Sequence, residues 1–168
     1  MNIKLAKEIV RTKLDLVVAH ANLVYDLDLD PALKENRGKC AGKASANAYT
    51  KKSTVCINYN MMLVNKDNWD SILEDTIAHE VAHIVEYMLV GKMSHSSFWS
   101  EICITLGGTG KRYHNLKLAT VQYIYEVNGH KLYLTAIKHN RIQSGVSYRC
   151  KTGNIYPSHF VGVYDPLA

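Results

Sequence analysis

From Trp69 to Gly91 the apolar residues Ile72, Leu73, Ile77, Val81, Ile84, Val85 and Met88 recur at spacings of three and four. That period predicts one long helix with an apolar face. Asp67 or Asn68 stands where an N-cap belongs, and Gly91 where a helix stops. Inside the run lies His79-Glu80-Val81-Ala82-His83, an H-E-x-x-H pentad. On a helix, positions 79 and 83 share a face about one turn apart, so both imidazoles can reach a single ion. Glu80 lies a step round the helix, where it can contact a metal-bound water without ligating. The chemistry of a zinc hydrolase needs this division. Zn²⁺ lowers the pKa of its water to about 7, and a carboxylate takes the proton as the hydroxide attacks a carbonyl.

One helix face cannot close a tetrahedral site, so a third ligand must come from elsewhere. Glu86 shares the face but lies beyond His83 along the axis, too far to complete a compact site. The longer pattern H-E-x-x-H-x-x-G-x-x-H fails, with Glu86 at the glycine position and Leu89 at the last histidine. Two candidates remain. His95 follows a turn at Gly91-Lys92-Met93-Ser94 and heads the next predicted helix, from about Ser96 to Leu106. Glu101, on that helix, would give a two-histidine, one-glutamate set.

The rest of the chain changes character along its length. Ile3, Ala6, Val10, Leu14, Val17, Ala21 and Val24 predict an amphipathic helix over residues 3–24. Asp26, Asp28 and Asp30 begin like a calcium loop. Pro31 and Arg37 stand where glycine and glutamate are required, however, which leaves a solvated loop. Residues 36–53 read as a loop and an exposed strand, and Thr54–Tyr59 as a strand. Gly107-Gly108 stops the helix begun at Ser96. Beyond Gly110 the pattern is strand-like, over Val121–Val127, Leu132–Lys138 and Val146–Cys150, with Asn128-Gly129 as a hairpin turn. The expected fold class is α+β: a helical core with a small sheet over residues 1–110, then a small antiparallel β subdomain over 111–168.

Composition excludes several classes. With 47% hydrophobic and 21% charged residues in 168, the chain is neither disordered nor fibrous. No apolar run reaches the roughly 18 residues of a membrane span. Charges at Lys4, Lys7, Glu8, Arg11, Lys13 and Asp15 interrupt any signal-peptide core, so a cytoplasmic location is expected. Cys40, Cys56, Cys103 and Cys150 form no C-x-x-C pair and read as reduced thiols. The net charge of +5 is uneven. Residues 1–106 hold 12 basic and 13 acidic side chains, whereas 107–168 hold 8 and 2. Eight aromatics lie among those basic residues, a composition suited to stacking bases and neutralising phosphates, although tyrosines in a small sheet also serve as packing. Lys111, Arg112, Lys117, Lys138, Arg141 and Arg149 are the candidate nucleic-acid contacts. Lys111-Arg112-Tyr113-His114 is the most suggestive cluster, and Tyr113 or His114 could steady an oxyanion.

His79-Glu80-Val81-Ala82-His83, Gly91-Lys92 and His95-Ser96-Ser97-Phe98-Trp99 together resemble the SprT-like zinc metallopeptidases, whose pattern is H-E-x-x-H followed by H-G-x-x-F/W. Gly42-Lys43-Ala44-Ser45-Ala46 and Val55 to Leu63 are similar to the family's glycine-led strand and its I-x-L-N-x-x-L-L segment. His139-Asn140-Arg141 and Tyr148-Arg149-Cys150 are similar to parts of its C-terminal zinc ribbon. The resemblance implies a zincin-like metalloprotease core with one zinc ion per chain held by His79, His83 and His95. It also implies Glu80 as catalytic base and protein substrates at or near DNA. The alternative is a non-catalytic DNA- or protein-binding module that keeps a structural zinc.

The chain departs from the family at two places. Ser96 stands where the family has glycine. The ribbon's four cysteines are reduced to Cys150, with Tyr123-Ile124-Tyr125 and Gly153 at the other positions. One sulfur cannot build a tetrahedral thiolate site, so Tyr123, Tyr125, Leu132, Leu134 and Tyr148 are expected to hold the sheet by packing. An unusual site from His130, His139 and Cys150 is the weaker alternative.

Overall fold

The structure is a computed structural model that describes residues 3–113, 116–117 and 120–166. The chain divides into two compact units, residues 1–117 and 118–168. The division therefore falls after Lys117 rather than after Gly110, and Lys111 and Arg112 belong to the first unit. The fold class is α+β.

In the first unit, α1 (Ile3–Tyr25) buries Ala6, Val10, Leu14, Val18 and Ala21. Val18 takes the core position expected of Val17, and Ile3 and Val24 at the ends are exposed. Asp26, Asp28 and Asp30 form an exposed loop, as their pattern predicts. Three strands follow: β1 (Ala32–Glu35), β2 (Gly42–Asn47) and β3 (Lys52–Ile57). The sheet order is β1-β3-β2, with β1 parallel and β2 antiparallel to β3. β2 is therefore an edge strand.

The predicted strand over Thr54–Tyr59 ends two residues early. Asn58 accepts a hydrogen bond from Met61 N at 3.1 Å and caps a short helix, α2 (Tyr59–Val64), which the alternating pattern did not reveal.

The long helix is α3 (Trp69–Val90), ended by Gly91 in the left-handed conformation at φ 70°. It packs against α1, β2 and α4 (Ser97–Thr105). That central position explains why Leu73, Ile77, Ala78, Val81, Ala82, Ile84 and Val85 are all buried, on more of its circumference than one apolar face would cover. Each fully buried Leu, Ile or Val there contributes about 1.5–3 kcal/mol relative to exposure.

The second unit has a three-stranded antiparallel sheet, β4 (Gln122–Val127), β5 (His130–Leu134) and β8 (Phe160–Tyr164), in the order β5-β4-β8. A hairpin of β6 (Tyr148–Cys150) and β7 (Gly153–Ile155) accompanies it. The β4–β5 turn is Asn128-Gly129 with φ of 50° and 78°, the conformation an Asn-Gly hairpin needs. The expected strand Leu132–Lys138 stops at Leu134, because Ala136–Gln143 forms a helix, α5, that buries Ile142.

Tyr125, Val127, Ile142 and Ile155 make the second core, with Tyr123, Leu132, Leu134, Tyr148 and Cys150 packed against it. The Tyr123 ring stacks on His139 at 3.9 Å. Tyr125 Oη lies 2.9 Å from His139 Nδ1 and accepts a bond from Gln143 Nε2 at 3.0 Å. Among the described residues, no helix is long and apolar enough to cross a membrane.

Candidate metal centre

His79 and His83 project from α3 one turn apart. The chain then leaves α3 at Gly91, and His95 returns just before α4. The ligand atoms of His79, His83 and His95 all lie within 4.8 Å of one another. His95 Nε2 and His79 Nε2 are 3.2 Å apart. A tetrahedral zinc with Zn–N bonds of about 2.0–2.1 Å sets neighbouring ligand atoms roughly 3.3 Å apart, so this pair fits a shared ion. Among the described residues these three form the one group of histidine, cysteine and carboxylate ligands that converges in this way. Glu101, the other candidate, is exposed on α4, whose inward face is taken by Trp99, Ile102 and Cys103. His130, His139 and Cys150 form no such group.

The electrostatics favour ligation. Burial pushes His83 down to about 4, and the neighbouring His79 and His95 add to that shift. Burial and the Arg112 guanidinium also lower His95. Both rings are thus neutral at pH 7 with a lone pair to offer, as a metal site requires. His83 Nδ1 is buried and makes no hydrogen bond among the described residues.

Trp99 is the platform beneath the cluster. It is buried, and its ring lies 4.6 Å from His79, 5.2 Å from His83 and 4.6 Å from His95 between centroids. Its Nε1 donates to the His79 carbonyl at 3.4 Å. The sequence marks this residue only through the spacing from His95.

Glu80 lies in the same cleft, buried, with its carboxylate against β2. Burial raises it to about 7, partly offset by a hydrogen bond from the Ala44 N–H. The register explains that bond. Asn58 N donates to Ala41 O at 2.8 Å, so the main-chain groups of residues 43, 45 and 47 face β3, and those of Gly42, Ala44 and Ala46 face away from it. Gly42 is required here, since a Cβ would meet Glu80 Oε1 at 2.6 Å.

The cleft has a volume of about 530 Å³, and Lys111, Arg112 and Tyr113 line it as well. Arg112 lies 4.9 Å over the Tyr113 ring. His114 lies outside the described residues. Lys117 is exposed at the end of the first unit, where its main chain pairs with the Asn65 side chain. Lys138 and Arg141 on α5 and Arg149 on β6 are exposed in the second unit. The six basic candidates are thus divided between the two units, and only Lys111 and Arg112 line the cleft of the histidines.

The SprT-like family model matches residues 28–120, more than half of the chain. The chain belongs to the SprT-like family. Protein SprT of Vibrio parahaemolyticus serotype O3:K6 (strain RIMD 2210633) is 27% identical over 133 residues, covering 76% of this chain and 76% of that protein. Protein SprT of Pseudomonas putida (strain GB-1) is 31% identical over 106 residues, 56% of this chain and 62% of that protein. No solved structure gives a significant match. The span matched by the SprT-like model contains Gly42, Ala44, the three histidines, Glu80 and Trp99, and ends before β4.

Proposed function

We propose that this SprT-like chain is a zinc-dependent endopeptidase that acts on proteins at or near DNA. The observation that carries the reading is the convergence of three imidazoles with a buried carboxylate in one open cleft beneath an edge strand. A zinc ion bound by His79, His83 and His95 supplies a Lewis acid that polarises a peptide carbonyl and acidifies water. Glu80 accepts a proton from the attacking water on a carboxylate oxygen and delivers it to the leaving nitrogen. A carboxyl group raised towards neutrality by burial suits both halves of that transfer. The outward main-chain groups of Gly42 and Ala46 offer an extended substrate a strand to pair with. Lys111 and Arg112, beside the histidines, and the basic balance of residues 107–168 support the link to DNA.

The test is a casein and self-cleavage assay with zinc, with and without single-stranded DNA. The expected result is one zinc per chain and cleavage that stops on chelation and returns with zinc. DNA binding is expected to weaken steeply between 50 and 200 mM salt, by an amount set by how many phosphates are neutralised. Zinc at one per chain with no cleavage under any of these conditions overturns the peptidase reading in favour of a structural-zinc binding module. Binding to neither duplex nor single strand removes DNA from it.

Gly42→Ala is expected to displace the Glu80 side chain, since the new Cβ occupies its place. A misplacement of about 1 Å in a catalytic group costs about 10²-fold in rate. Cleavage should fall by that order while zinc titration stays at one ion per chain. Parent-like turnover would show that Glu80 does not act from this position.

A further inference from the structure

We infer that Glu86 is a positioning residue for the third metal ligand: its carboxylate fastens the two serines that flank His95 and so presets that imidazole. The inference rests on the reading that the three histidines hold a divalent metal.

Glu86 sits on α3 one turn beyond His83 and is only 2% exposed. Its Oε2 accepts from Ser94 N at 2.7 Å, and its Oε1 accepts from Ser94 Oγ and Ser96 Oγ, each at 2.7 Å. The direction of these bonds follows from their neighbours. Ser94 Oγ already accepts from Ser96 N at 3.2 Å, and Ser96 Oγ from Trp99 N at 3.1 Å. Both hydroxyl protons are therefore free to point at Glu86, which must be the acceptor. Burial alone would raise its carboxyl, yet the bonds from Ser96 and Ser94 hold it below the ordinary carboxylate range.

A buried carboxylate is costly unless it is well hydrogen-bonded, and here these three bonds all come from the segment that carries His95. That segment, residues 91–96, has no regular structure of its own. Helix α3 thus supplies two ligands and the anchor of the third. Ser96, which replaces the family's glycine, serves at once as the N-cap of α4 and as one arm of the clamp. Partners of this kind, which orient a ligand without touching the metal, typically carry 10–100-fold in metal affinity.

The test uses the full chain and zinc or cobalt alone. Zinc affinity is measured by chelator competition, and coordination by the visible spectrum of the Co²⁺ form. The variants are Glu86→Gln, Ser94→Ala with Ser96→Ala, His95→Ala and His79→Ala. Glu86→Gln sets an amide N–H against Ser94 N, and the double serine variant removes both hydroxyl donors without touching the buried position. Each is expected to bind zinc about 10–100-fold more weakly than the parent, with a Co²⁺ spectrum shifted towards that of His95→Ala.

Affinities within twofold of the parent and an unchanged spectrum overturn the clamp, whatever happens to the unfolding temperature of the metal-free protein. A loss of stability alone would make Glu86 structural. If His79→Ala binds zinc as tightly as the parent, the metal centre itself is wrong, and the clamp falls with it.

Discussion

Glu80→Gln is expected to retain one zinc per chain and to lower peptide cleavage by about 10²–10⁴-fold, the usual contribution of a positioned general base. Glutamine has the shape of glutamate, and its carbonyl can still accept the Ala44 N–H, so the strand and the helix keep their contact. It cannot take a proton from water. The proposed ligands are the three histidines, which this substitution leaves in place, so zinc content should not change.

The same substitution has a pH signature in the metal-free protein. Burial raises Glu80 from 4.5 to about 7, so the folded state binds this proton more tightly than the unfolded one. The stability that depends on it is fully present below about 4.5 and is lost as pH rises through about 7. Glu80→Gln lacks that loss, and its unfolding temperature should gain on the parent's across this window. Cleavage within tenfold of the parent would remove Glu80 from the mechanism. Equal pH dependence of unfolding would show that its carboxyl is not held in a buried environment.

Trp99→Ala is expected to destabilise the first unit by about 3–5 kcal/mol and to weaken zinc binding as well. The residue is 1% exposed and its ring lies against all three histidines, so its loss opens a cavity directly under the imidazoles. Relative to a typical total of about 5–15 kcal/mol, that is a large fraction of the stability. Trp99→Phe separates the two contributions. It keeps a flat apolar surface under the imidazoles but loses the Nε1 bond to the His79 carbonyl, which at 3.4 Å is a weak one. It should cost much less than the alanine variant. Urea unfolding of the metal-free proteins and zinc competition measure both effects. If Trp99→Ala unfolds within about 1 kcal/mol of the parent, the platform role is wrong, because a truncated buried tryptophan cannot be that cheap in a packed core.

Features that lie within one element were legible from the residues. The spacing of His79 and His83, the place of Glu80 between them, the glycine stop at Gly91 and the Asn128-Gly129 turn all depend on local periodicity or local φ preference. Spacing alone does not separate His95 from Glu101, because the choice depends on how α4 lies: it turns Glu101 to solvent, and His95 converges with His79 and His83. The helix α5 was hidden for a similar reason. Leu132 to Lys138 alternates well enough to read as a strand, and only the packing of Ile142 in the second core reveals the helix. Glu86 has no local sequence signal that connects it with Ser94 and Ser96.

The sequence by itself determined that one helix carries two imidazoles on one face, a turn apart, with a carboxylate beside them, and that a small basic sheet follows. Only the tertiary structure decided the rest. The reversal at Gly91 brings His95 back to His79, Trp99 under all three rings, and Ser94 and Ser96 onto Glu86. Packing of α3 against β2 sets Glu80 against Gly42 and the Ala44 N–H. The physical reason is range. Helical periodicity places residues four apart without help from the rest of the chain. A contact between residues eight to forty apart exists only when separate elements are packed together, and no local pattern encodes that packing.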